Sequence, residues 1–189
     1  MRRSGFVLSG GASSRMGRDK ALLAYRETTL VEHVARAVRD AVGSVTLIGD
    51  PDRYGELGHS VYRDIVPACG PLGGIYTALS VAPTDWNLVV ACDMPGISAG
   101  ALRSLIDPEA EPGRYSVMAI GPGGDPEPLC AVYHRNCLPV LDRAIREKRF
   151  KMRDLVVELQ AEFRPFEEAA LANVNTPGEW AEFQEERTR

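Results

Sequence analysis

Short apolar runs alternate with amphipathic stretches along most of this chain, as they do where strands alternate with helices. The runs Gly5 to Leu8, Val45 to Ile48, Val61-Tyr62, Trp86 to Ala91, Ser116 to Ile120 and Leu129 to Tyr133 read as strands. Trp86 to Ala91, with Leu88 to Ala91 continuously apolar, is the clearest buried strand. A helix is predicted over Thr29 to Val42, because Leu30, Val34, Ala37, Val38 and Ala41 recur on one face and Thr29 with Glu32 spells a capping box. Further helices are expected from the Cys69 to Gly74 stretch to about Val81, and over Ser98 to Ile106, Cys137 to Glu147, Met152 to Leu159 and Pro177 to Gln184. Gly49-Asp50-Pro51-Asp52 reads as a turn, and Glu109 to Gly113 and Gly121 to Pro128 as the loosest parts. No internal repeat is visible. The alternation predicts an α/β domain with a largely parallel sheet. In such sheets ligands bind outside the carboxyl ends of the strands, so the chain after Leu8, Asp64 and Asp93 should share one rim.

Composition narrows the picture without changing it. The 189 residues, 44% of them hydrophobic, suffice for one core, so a single domain over residues 1–189 is expected. A formal charge of −4 argues against a nucleic-acid partner and makes the basic residues near the start a local concentration. No apolar run is long enough to cross a bilayer, and Arg2 and Arg3 lead straight into a short strand without a signal-peptide core, so no membrane partner and a cytosolic location are expected. Cys69, Cys92, Cys130 and Cys137 form no Cys-x-x-Cys pair, and Cys92 and Cys130 read as core residues. His33, His59 and His134 form no recognisable metal set, and His33 is expected on the solvated side of its helix.

The densest chemistry lies in Leu8 to Lys20. Gly10 and Gly11 leave the backbone bare, so that a base or phosphate can lie against it where a Cβ would collide. Ser13 and Ser14 add hydroxyls, and Arg15, Arg18 and Lys20 bring positive charge within reach of phosphate oxygens. Neither the Walker pattern nor Rossmann glycine spacing is present. Asp93, directly after a buried strand, needs solvent, a donor or a cation: it either caps the turn leading to Pro95 or binds Mg2+, which accepts few protein ligands beside phosphate oxygens and water.

Five ordered motifs carry a resemblance. They are Leu8-Ser9-Gly10-Gly11 with Arg15-Met16-Gly17 and Lys20, Gly70-Pro71-Leu72-Gly73-Gly74, Cys92-Asp93-Met94-Pro95, Glu127-Pro128-Leu129-Cys130-Ala131-Val132-Tyr133, and Asn173-Val174-Asn175-Thr176-Pro177. From Leu8 to about Trp180 the chain resembles the molybdenum cofactor guanylyltransferases, which join GMP from GTP to molybdenum-bearing molybdopterin and release pyrophosphate. The resemblance implies a three-layer α/β/α sandwich with a mostly parallel, Rossmann-like sheet of the nucleotide-diphospho-sugar transferase type. It implies nucleotide contacts at Leu8, Ser9, Gly10, Gly11, Lys20, Asp64 and Asp93, catalytic roles for Arg15, Lys20 and Asp93, and Mg2+ on Asp93. Pro128, Leu129, Asn173 and Asn175 would serve the acceptor, although Pro128 to Ala131 also reads as a core strand and Asn175-Thr176-Pro177 as a helix cap. Proteins that insert molybdenum or deliver the finished cofactor are implied partners. Two letters depart from the family: Ser9 replaces the usual alanine, and Gly49-Asp50 stands where an asparagine is common. Transferases using CTP or another phosphorylated acceptor share the fold and first motif, and a nucleotide-binding regulator without catalysis is the alternative of a different class.

Overall fold

The computed structural model describes residues 2–10, 19–106 and 111–186. In chain order the strands are β1 (Arg3–Leu8), β2 (Ala24–Tyr25), β3 (Thr28–Thr29), β4 (Thr46–Ile48), β5 (Ser60–Tyr62), β6 (Trp86–Ala91), β7 (Ser116–Ile120), β8 (Pro126–His134) and β9 (Ala161–Pro165). The α-helices are α1 (Leu30–Val42), α2 (Pro51–Tyr54), α3 (Pro71–Val81), α4 (Ala99–Ser104), α5 (Leu138–Arg146), α6 (Glu168–Leu171) and α7 (Pro177–Glu186). Seven strands form one sheet in the order β5-β4-β1-β6-β8-β7-β9, while β2 and β3 make a separate antiparallel pair. β5, β4, β1 and β6 run parallel, and β7 pairs parallel with β9. β8 is antiparallel to both its neighbours, β6 and β7.

Alternation along the central strands divides the core into two layers. Val7, Leu88 and Val90 pack with Leu30, Val34 and Val38 of α1 and Leu102 of α4, whereas Phe6, Leu8 and Val89 point the other way onto Leu72 and Ile75 of α3 and Leu141 of α5. All of these but Phe6 and Leu8 are 0% exposed, and those two are 2% and 7% exposed, so helices cover both faces in three layers. α1 begins at the expected capping box: the Thr29 side chain accepts from Glu32 N, and Thr29 N donates to Glu32 Oε2 at 3.0 Å. It ends at Gly43 in the left-handed region, φ 86°, whose N–H returns to Arg39 O. Gly5 is the close-approach point of β1, since a Cβ there would lie 2.3 Å from Val38 Cγ1 and 2.5 Å from Ser44 O.

Several local expectations are corrected. Met152 to Leu159 forms one 3-10 turn, Met152–Leu155, followed by turns. Its helical spacing is real, because Leu155 and Leu159 are buried, but Gln160 at φ 48° turns the chain out into β9. β9 escapes the periodicity because Ala161-Glu162-Phe163-Arg164-Pro165 is a partly exposed edge strand paired only with β7. Pro126 to Pro128, expected to be loose, belongs to β8. The Gly49 to Asp52 turn holds the cap of α2, with Asp50 accepting from Asp52 N. His33 is half-buried rather than solvated: its Nε2 lies 3.1 Å from Pro95 O and its ring 4.4 Å from that of Tyr25, tying α1 to the loop after Asp93.

Candidate active site

β1 and β6 are in register to their ends, Leu8 opposite Ala91, and hydrogen bonds continue past them. Cys92 N donates to Leu8 O at 3.0 Å, and Ser9 N to Ile48 O at 2.9 Å. These bonds fix the backbone on both sides of a cleft of about 330 Å³ at the carboxyl ends of the parallel strands. Leu8, Ser9, Gly10, Lys20, Asp93 and Leu129 all line it, so six of the residues expected at the site come together. Asp19, Ala21, Gly70 and Pro71 also line it.

Lys20 and Asp93 face each other. Lys20 Nζ donates to Asp93 Oδ2 at 2.7 Å and to Asn175 Oδ1 at 3.0 Å, with the two charged side chains each 18% exposed. Three distant motifs therefore converge on one ammonium group. Asp93 Oδ1 is buried with no hydrogen-bond partner, which a carboxylate oxygen tolerates poorly unless a cation or donor completes it. The alternative of a turn cap finds no bond among the described residues, and the loop is held by the backbone, Val174 N donating to Asp93 O at 3.0 Å and Ile97 N to Met94 O at 3.2 Å. Among the described residues no three His, Cys, Asp or Glu side chains form a metal cluster. One unsatisfied carboxylate oxygen fits an ion such as Mg2+, which takes one or two carboxylates and fills its other positions with phosphate oxygens and water.

Gly10 is exposed, and a Cβ there would meet nothing closer than 3.9 Å. Among the described residues nothing packs closely enough to require that glycine, and Gly10 lines the cleft. Gly73 and Gly74 in α3 are different: a Cβ on Gly73 would sit 2.8 Å from Val66 O, and one on Gly74 3.1 Å from Leu8 Cδ2, so they let the helix start close to the sheet.

Ser9 is 4% exposed; its hydroxyl donates to Ile48 O at 3.1 Å and packs where a Cβ on Gly49 would be, 2.4 Å away. Behind it stands Asp19, a residue the sequence reading passed over although it sits inside the first motif. Asp19 Oδ1 accepts from Ala21 N at 3.1 Å, which starts the 3-10 turn Lys20–Leu22. Its Oδ2 lies 3.2 Å from Arg53 Nη1 and 2.9 Å from the Tyr54 hydroxyl, which also reaches Ser9 O at 2.7 Å. Burial first, then the Asp19 contact, pushes the Tyr54 hydroxyl far above its ordinary value, so it remains a phenol.

The remaining expected residues divide. Gly11 and Arg15 lie outside the described residues. Asp64 follows β5 but does not line the cleft; its Oδ1 is buried without a partner, and burial raises its pKa. Asn175 joins the site through Lys20 rather than by lining the cleft, and Asn173 is exposed next to it. Pro128 is buried, its carbonyl accepting from the Tyr133 hydroxyl at 2.7 Å. Cys92 and Cys130 are buried as expected, burial pushing the Cys92 thiol up to about 12, and Cys69 and Cys137 are buried too.

A family model described as the MobA-like NTP transferase domain matches residues 5–162. The chain belongs to the MobA-like NTP transferase family. A protein of Flavobacterium johnsoniae named "Probable molybdenum cofactor guanylyltransferase" is 34% identical over 177 residues, 92% of each chain. The crystal structure of molybdopterin-guanine dinucleotide biosynthesis protein A from Archaeoglobus fulgidus superposes with a TM-score of 0.82 at 23% identity, covering 98% of both chains. CMP:2-keto-3-deoxy-manno-octonic acid synthetase in complex with CTP shares the fold at TM-score 0.73 and 11% identity, over 100% of this chain and 99% of that one. The three-layer, mostly parallel sandwich is thus of the nucleotide-diphospho-sugar transferase type, and nucleotide transfer is the chemistry of this NTP transferase family. Among the described residues no helix is long and apolar enough to cross a membrane.

Proposed function

We propose that this MobA-like NTP transferase moves GMP from GTP to the terminal phosphate of molybdenum-bearing molybdopterin. A phosphate oxygen of the acceptor attacks the α-phosphorus, the bond from that phosphorus to the oxygen bridging to the β-phosphate breaks, and its electron pair leaves with pyrophosphate. The observation that carries this reading is the Lys20–Asp93 pair on the cleft beside the bare backbone of Gly10. The name of the Flavobacterium relative, which aligns over nine-tenths of both chains, supports the choice of substrates.

In this reading Gly10 admits the nucleotide against the main chain, and Lys20 brings its positive charge to the phosphates. Asp93 and Asn175 hold that ammonium group in place before the nucleotide arrives. Asp93 Oδ1 is the oxygen offered to Mg2+, and the ion would add positive charge where the departing pyrophosphate becomes more negative. A phosphate monoester is already anionic near neutral pH, so positioning and charge neutralisation carry the step without a strong general base. Ordered handover of the product to a cofactor-delivery protein completes the proposed role, in a cytosolic setting.

Thermal unfolding with Mg2+ and each of GTP, CTP, ATP and UTP tests the nucleotide. GTP at about 100 times its Kd should add about 2.7 kcal/mol, which is about 5 to 11 °C for a domain of this size. A larger shift with CTP would replace guanylyl by cytidylyl transfer. Asp93→Ala should abolish Mg2+-dependent pyrophosphate release in the presence of acceptor while keeping the fold, and near-normal release would remove Asp93 from the mechanism.

A further inference from the structure

Glu127 is a half-buried carboxylate beside the cleft that has no part in the scheme above. It owes its position to an irregularity in β8. Against β7, Ala131 pairs with Met118 but Glu127 pairs with the very next residue, Ala119, so Pro128, Leu129 and Cys130 bulge out of that ladder. Bulges beside active sites re-aim side chains. This one is pinned by the fully buried Tyr133, whose hydroxyl donates to Pro128 O at 2.7 Å, and by Leu129 N donating to Glu127 Oε1 at 3.0 Å. Against β6 the ladder ends with Cys130 opposite Val90, and Glu127 and Asp93 each lie three residues along the chain beyond that last pair. Burial raises the Glu127 pKa, the Leu129 N–H and then Arg153 pull it back, Asp93 pushes it up and Asn173 lowers it. The two carboxylates are near enough to feel each other, and Asn173 of the last motif faces Glu127.

The rim is thus ordered by the strands. Gly10 follows β1, the phosphate-side pair Lys20–Asp93 lies at the end of β6, and Glu127 stands on β8, one strand further out. We propose that Glu127 is the specificity-determining residue for the acceptor, its carboxylate accepting from the ring N–H and exocyclic NH2 of a 2-amino-4-oxo heterocycle. Two adjacent donors match a carboxylate in the bidentate way that suits planar N–H forks. A carboxylate offers about four lone-pair sites; the Leu129 N–H takes one and the Asn173 side chain another, which leaves room for two donors of a heterocycle. Guanine and pterin share this edge; placement beyond the phosphate site, away from Gly10, assigns it to the pterin of the acceptor. The inference rests on the acceptor proposed above.

The test uses two fluorescent probes, a pterin bearing a phosphomethyl group on C6 and its 2,4-dioxo lumazine counterpart, titrated into the full chain with Mg2+ and GTP present. Wild type should bind the pterin at least about tenfold tighter, the size of one lost charge-assisted bond. Glu127→Gln offers one acceptor and one donor, which matches the lumazine edge, so its preference should collapse or invert while its melting temperature and its GTP and Mg2+ midpoints stay unchanged. Glu127→Ala should weaken pterin binding without gaining lumazine. An undiminished pterin preference in Glu127→Gln overturns the inference and leaves the acceptor reading standing. A fall in GTP affinity would reassign the edge to guanine, and a shifted Mg2+ midpoint would make Glu127 a metal ligand; each overturns it. Wild type binding neither probe defeats the inference and the pterin acceptor together.

Discussion

The two departures from the family pattern touch each other, and that contact yields a quantitative prediction. A Cβ at Gly49 would lie 2.4 Å from Ser9 Oγ and 2.8 and 3.0 Å from two carbons of the Tyr54 ring, each well inside van der Waals contact. Gly49→Ala should therefore cost about 2 to 3 kcal/mol, the upper part of the range for overpacking. Ser9→Ala removes the bond from Oγ to Ile48 O, but that carbonyl still accepts from the backbone N of residue 9, so its cost should be about 1 kcal/mol. In the double variant the closest collision disappears and only the Tyr54 contact remains. The pair should then cost about 2 kcal/mol, against about 3 to 4 for the sum, a favourable coupling of about 1 to 2 kcal/mol. Urea unfolding of the four proteins measures the cycle. Because Tyr54 also meets Ser9 O and Asp19, Gly49→Ala should weaken GTP binding in the same samples. Additivity within about 0.5 kcal/mol would refute the interlock and leave Ser9 and Gly49 as unrelated substitutions.

Asp64 has a folded-state pKa raised above its ordinary 3.8 by burial, so the folded chain holds that proton more tightly than the unfolded one. Its contribution is favourable at low pH and is lost as pH rises from 3.8 through the folded value; without metal or nucleotide, Asp64→Asn should melt higher than wild type at pH 7 and lose that advantage below 3.8. Equal melting at pH 7 would count against the buried, unpartnered oxygen. Thr29→Ala opens the capping box of α1 and should cost about 1 kcal/mol by urea unfolding, with GTP binding unaltered. Lys20→Ala should weaken GTP binding in a calorimetric titration by roughly tenfold or more, the size of one charge-assisted bond to phosphate; an unchanged affinity would remove Lys20 from the phosphate site.

The sequence pattern was most legible where side chains alternate or recur because both faces of an element are settled by burial. β1, β6 and α1 are of that kind, and the capping box at Thr29 marks its helix to the residue. β9 and the β2–β3 pair were missed because edge strands and two-residue ladders leave no apolar alternation. At the site, glycines and charges named the cleft, since Leu8, Ser9, Gly10, Lys20 and Asp93 do line it. Asp19 went unseen although it stands next to Lys20; a carboxylate before a lysine reads as a solvated pair until Tyr54 and Arg53 are known to converge on it. Nor could spacing show that Asn175 reaches Lys20 across 155 positions of sequence, because that meeting depends on the loop carrying Val174 being bonded to the backbone of Asp93.

That long-range meeting sets a timetable for the newborn protein. At roughly 5 to 20 residues per second, a ribosome takes roughly 8 to 30 s to add the stretch between Lys20 and Asn175. Asp93 emerges about midway, so the carboxylate partner of the lysine exists while the carboxamide is still unmade. Of the two printed contacts of that ammonium group, the one to Asn175 is therefore the later, made once its loop is bonded to the backbone of Asp93.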